Sequence, residues 1–151
     1  MTDRRDAETA PGGMFRRVLV GYDGSPAARS ALRVAIALAA DLHTDIHVLI
    51  VIRPPAHTET DEEREVAAAA ERDNLSKGLS DHAGDISKNV DVSVDVVHAD
   101  DPAQAIADFV DRYGFDLVVV GRHGREQLTH RGIGQSLEGL LRRHPCPVLV
   151  V

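Results

Sequence analysis

The feature that most constrains this chain is the recurrence of short, β-branched apolar runs separated by stretches of helical periodicity. Val18-Leu19-Val20, Val48 to Ile52, Leu117 to Val120 and Val148 to Val151 are each too short for a core helix. None carries a charge, the pattern of strands buried on both faces of a parallel sheet. Val90, Val92, Val94 and Val96 instead alternate with Asp91, Ser93 and Asp95. That period of two marks a strand with one wet face, which belongs near a sheet edge.

Helical patterns fill the intervals. Ala28, Ala31, Leu32, Ala35, Ile36 and Ala39 recur at the spacing of one helical face, behind Ser25 as N-cap and Pro26 at the first helical position. Thr60-Asp61-Glu62-Glu63 has the form of a capping box and opens a second helix to about Ala83. Asp101-Pro102-Ala103-Gln104 opens a third, with Ala103, Ile106, Ala107 and Val110 on its apolar face. Ile133, Leu137, Leu140 and Leu141 give the fourth, closed by Pro145 and interrupted by Gly139 at a cost of about 1 kcal/mol relative to alanine.

Strands that alternate with helices in this way require a parallel sheet with right-handed crossovers and helices on both faces. The fold class is therefore α/β: a five-stranded parallel sheet of order 3-2-1-4-5 with two helices on each face. The order follows from the half-wet third strand, which it places at an edge; a flavodoxin-like 2-1-3-4-5 order would bury that strand at the centre. At 151 residues, 43% of them apolar, the chain suits one domain. Residues 1–14 read as a disordered polar arm and 15–151 as the domain.

A formal charge of −7 is the wrong sign for a protein that neutralises nucleic-acid phosphates. One cysteine, Cys146, forms no intrachain disulfide and reads as an inert buried thiol. The N-terminal residues contain no apolar stretch resembling a signal peptide, so the expectations are a cytoplasmic location and no membrane partner.

In an open α/β sheet a ligand sits beyond the carboxyl ends of the strands where the winding reverses, here between strands one and four. The segments there are Gly21-Tyr22-Asp23-Gly24-Ser25 and the stretch from Gly121, with glycines at 121, 124, 132 and 134 leading into a helix. Glycines let a backbone approach an anion closely, and the free N–H groups of a helix start favour negative charge. From Gly121 to His144 five arginines face two glutamates in a chain that is acidic overall. This pattern points to a small polyanion.

These segments resemble the universal stress protein family. The resemblance runs from Val18-Leu19-Val20-Gly21-Tyr22-Asp23-Gly24-Ser25-Pro26 through Asp116-Leu117-Val118-Val119-Val120-Gly121 to Pro145-Cys146-Pro147-Val148-Leu149-Val150-Val151. The spacing Gly121-x2-Gly124-x9-Gly134 matches the glycine motif of the family's nucleotide-binding members. The resemblance implies a Rossmann-like domain that binds ATP, with AMP or ADP as alternatives and with or without Mg2+. It implies that Gly21, Tyr22 and Asp23 border the adenosine and that Val51 meets the adenine through its backbone. Gly121, Gly124 and Gly134 would then approach the phosphates, with Arg125 as a phosphate cation. Relatives that bind ATP carry Ser or Thr after the last glycine; here Gln135 stands there and Ser136 follows it. Asp100 stands where relatives usually have glycine.

Asp23 has two readings, a ribose or Mg2+ contact and a turn residue bonding its own backbone. His123 and His130 receive no catalytic role. The bare apolar edge formed by Val148 to Val151 invites a partner strand, and the resemblance also implies a homodimer. Gly-x4-Gly-Lys-Ser/Thr and Gly-x-Ser-x-Gly motifs are absent, which argues against a P-loop NTPase and a nucleophile-elbow hydrolase. The resemblance implies a regulatory nucleotide-binding module in the stress response. Its alternatives are a nucleotide-free dimer and a slow ATPase.

Overall fold

The computed structural model describes residues 13–54, 60–83, 89–124, 135–143 and 146–151. Along the chain these form β1 (Val18–Tyr22), α1 (Pro26–Leu42), β2 (Ile46–Ile52), α2 (Asp61–Ala83) and β3 (Val92–His98). They continue with α3 (Pro102–Tyr113), β4 (Leu117–Val120), α4 (Gln135–Arg143) and β5 (Val148–Val150). The sheet has the order β3-β2-β1-β4-β5, and every pairing is parallel. Val20 pairs with Val48 on one side and Val119 on the other, so β1 is the central strand.

Alternate residues of the strands feed two cores. Val18, Val20, Ile46, Val48 and Ile50 pack under α1 and α2, whereas Leu19, Leu49, Val118 and Val120 pack under α3 and α4. This is why the central strands are apolar at successive positions: both faces are covered.

The helix starts follow side-chain chemistry. The Ser25 Oγ accepts from the Ala28 N–H at 3.1 Å, and the Asp101 carboxylate accepts from the Ala103 N–H at 3.0 Å, each ahead of a proline. Thr60 and Glu63 form the reciprocal capping box, the Glu63 N–H donating to Thr60 Oγ1 at 3.2 Å and the Thr60 N–H to Glu63 Oε2 at 3.3 Å. α2 runs without a break and is anchored by the buried Leu75 and Leu79.

Two boundaries differ from the sequence reading. β3 begins at Val92; Val90 is buried in the turn that enters the strand. The valine face of β3 is also not uniformly dry, because Val94 is 42% exposed while Val92 and Val96 pack against the α1–α2 core. Open sheet edges leave such positions without cover. α4 begins at Gln135, and Ile133 lies outside the described residues.

Two glycines permit close packing. A Cβ on Gly139 would lie 3.0 Å from the Ala103 Cβ, so the helical glycine lets α4 rest on the first turn of α3. Arg143 ties the same junction, donating to Asp101 Oδ2 at 2.9 Å and to Gln104 Oε1 at 2.8 Å. A Cβ on Gly121 would lie 2.6 Å from the Ala27 carbonyl carbon and 2.8 Å from the Ala28 nitrogen, both backbone atoms. Helix α1 must therefore shift to admit any side chain there. Gly121→Ala is expected to lower the unfolding free energy by about 1–3 kcal/mol, the usual range for an overpacked core. Chemical denaturation checks this, and an unchanged midpoint would show that the junction is soft.

Candidate ligand-binding site

At the carboxyl ends of β1, β2 and β4, between α2 and α4, lies a cavity of about 600 Å³. It opens where β1 sends its chain to one face of the sheet and β4 to the other, the place where α/β sheets bind ligands. Its volume falls inside the roughly 300–1,000 Å³ of small-molecule sites.

The structure brings Gly21, Tyr22 and Asp23 from the β1 end, Val51 from β2, Gly121 and Gly124 from the β4 end and Ser136 from α4 onto this cavity. Gln135 is the first residue of α4, and Arg125, His130 and Gly134 lie outside the described residues. Gly121 has a packing reason to be glycine, the backbone of α1, in addition to its place on the wall.

The walls are chemically divided. Leu49, Val51, Ile106 and Leu75 give apolar surface, while Arg53, Arg122, His123 and Ser136 supply polar groups. Asp23 uses Oδ1 to accept from the Ser25 N–H at 2.9 Å, the turn bond. Its Oδ2 lies 3.0 Å from the point a Gly124 Cβ would occupy, so the β1 exit packs closely against the β4 exit. The turn role and the wall position therefore coexist in one side chain. Ser25 also bridges these exits, its hydroxyl donating to the His123 carbonyl at 3.4 Å. The His123 Nδ1 is buried without a hydrogen-bond partner among the described residues.

The local excess of arginines is only partly aimed at the cavity. Arg142 pairs with Glu138 at 2.6 Å and Arg143 with Asp101 at 2.9 Å, so both serve the helices. Arg122 lines the cavity, and Arg131 lies outside the described residues. Asp100 is exposed and takes no part in the wall. Among the described residues the charged lining groups are Asp23, Arg53, Glu71 and Arg122.

Sequence reasoning missed Arg53 and the α2 wall of Ala67, Ala68 and Glu71. Arg53 had a signal: it directly follows the apolar run that ends at Ile52, at the carboxyl end of a strand. The small residues of α2 had none, since alanines in a charged helix mark no face.

Burial pushes the Tyr22 phenol above its ordinary 10.0, an effect that the Arg29 guanidinium beside it partly offsets. Because the folded state holds this proton more tightly, the stabilisation is complete below pH 10 and is lost as pH rises through the folded value. Tyr22→Phe is therefore expected to flatten the alkaline decline in stability, read by denaturation at successive pH values. An identical decline in both proteins would contradict it. Cys146 is half-buried rather than buried as expected; this partial burial and the nearby Asp116 carboxylate push its thiol up, which disfavours the reactive thiolate.

The fold and cavity define a doubly wound α/β domain with a ligand crevice at the reversal of winding. The sequence model of the Universal stress protein family matches residues 14–151, and the chain belongs to that family. It is 28% identical over 148 residues to universal stress protein YxiE of Bacillus subtilis, covering 91% of this chain and 99% of the relative. Universal stress protein UspA from Lactobacillus plantarum superposes with a TM-score of 0.84 at 19% identity, over 93% of this chain and 99% of that one. A universal stress protein solved in complex with cAMP gives a TM-score of 0.69 at 23% identity, over 92% of this chain and 98% of the other. One from Archaeoglobus fulgidus in complex with dAMP gives 0.63 at 18% identity, over 91% and 98%. No helix among the described residues is long and apolar enough to cross a membrane.

Proposed function

We propose that this protein is a regulatory module of the stress response that binds an adenine nucleotide, foremost ATP, in the cavity beyond β1, β2 and β4. The observation that carries this reading is the division of that one cavity into apolar wall and polar rim. A purine needs apolar surface with a few polar groups at its edge, and a sugar phosphate needs donors and cations. Leu49, Val51 and Ile106 suit the base, Asp23 suits the ribose, and Gly124, Arg122 and Ser136 suit the phosphates. The relatives solved with cAMP and dAMP support an adenine nucleotide as the ligand class. Arg125, Gly134 and Gln135 belong to the phosphate end in this reading. Mg2+, where it accompanies the nucleotide, is proposed to bind through the phosphates, as is usual for this ion.

Mass spectrometry of small molecules released from denatured purified protein should find ATP, ADP or AMP. Calorimetric titration of the stripped protein should then show one site for ATP. Absence of any adenine nucleotide together with no heat of binding would reverse the reading in favour of a nucleotide-free protein acting through partners.

The module acts as a cytoplasmic homodimer through β5. That strand bonds to β4 through the Pro147 carbonyl and the Val151 N–H, which by alternation turns the backbone groups of Val148 and Val150 outward. Val150 is 39% exposed, so an unpaired apolar edge is presented. Sedimentation should give a dimer at micromolar concentration, and Val150→Pro, which removes an outward N–H, should give a folded monomer. A monomeric wild-type protein would refute dimerisation through this edge.

A further inference from the structure

Arg53 follows β2 directly and stands at the rim of the cavity, where its Nη2 donates to the Ser136 Oγ at 3.4 Å. The two residues come from opposite walls: Arg53 from the end of a strand next to the centre of the sheet, Ser136 from the first turn of α4. Val51 and Arg53 are two residues apart, and Val51 packs against the α3–α4 core. A strand's period of two thus directs Arg53 toward the same side, which is how it reaches α4. The first turn of α4 carries N–H groups that have no partner within the helix, and these attract negative charge.

We propose that Arg53 is a specificity-determining residue that selects ligands by the number of phosphates reaching the cavity mouth. This rests on the nucleotide reading given above and adds a selection rule to it. A phosphate arriving at the start of α4 meets the guanidinium fork, the Ser136 hydroxyl and the helix amides together. Val51 is half-buried and Arg53 exposed on the same cavity wall. In this proposal a base seated against Val51 directs its distal phosphates toward Arg53. A planar guanidinium can engage two phosphate oxygens at once, which an ammonium cannot match. Ser136 positions the fork between visits of the ligand.

The test is calorimetric titration of the stripped full-length protein with ATP, AMP and adenosine. It compares wild type with Arg53→Gln, Arg53→Lys and Ser136→Ala. Arg53→Gln should weaken ATP binding about tenfold, the scale of one lost hydrogen bond to a charged group. AMP should lose less and adenosine nothing, and the Arg53→Gln protein should bind ATP with a weaker dependence on salt. Arg53→Lys should recover part of the loss because the charge remains. Thermal melting of the two ligand-free Arg53 variants should match wild type, since that side chain is exposed. An equal loss for all three ligands would overturn the proposal, as would an unchanged ATP affinity in Arg53→Gln, and either result would leave nucleotide binding itself intact. If wild-type protein binds none of the three, the nucleotide reading falls and this proposal falls with it.

Discussion

At the end of β4 the Gly121 backbone lies so close to Ala27 and Ala28 that no side chain fits between them, and this contact fixes the floor of the cavity. It holds the β4 exit against the start of α1 while the two strands send their chains to opposite faces of the sheet. Asp116 fixes the other end of the same pair of strands, its carboxylate accepting from the Arg16 and Arg17 N–H groups at 2.9 Å each. Between these two clamps β1 and β4 run in register, and the crevice opens only beyond them. The wall residues at the ends of these two strands, Gly21, Tyr22, Asp23, Gly121 and Gly124, hang from that frame.

The side chains around the frame divide between building it and facing outward into the cavity. Ser25 caps α1 and also holds the His123 carbonyl, so the connection after β4 is tethered to the helix start after β1. Arg143 locks α4 onto the cap of α3, which sets where Ser136, Leu137 and Leu140 meet the cavity. A site assembled from strand ends and helix starts in this way is preorganised by the core beneath it.

Much of the fold was legible because its rules are local. Uncharged β-branched runs can only be covered strands, and Ser25-Pro26 and Asp101-Pro102 announce helix starts that the structure contains. The strand order followed from one half-wet strand, β3, which lies at the edge. The dry face assigned to that strand was less regular than its sequence, because burial at an edge depends on how far a helix reaches, and alternation does not encode this.

The candidate site was legible at the strand ends and illegible where a distant helix closes it. Gly21, Asp23 and Gly121 could be placed by topology alone, whereas Ala67 and Ala68 of α2 meet the cavity through a packing angle that no residue pattern announces. Charge counting also overstated the basic rim, since Arg142 and Arg143 are used by neighbouring carboxylates. The most direct measurement is a backbone amide resonance map of the stripped protein recorded as Mg-ATP is added. Perturbations concentrated at Gly21 to Ser25, Val51 to Arg53, Gly121 to Gly124 and the start of α4 are predicted. A saturating perturbation centred on any other surface, or none at millimolar ligand, would contradict the assignment of this cavity.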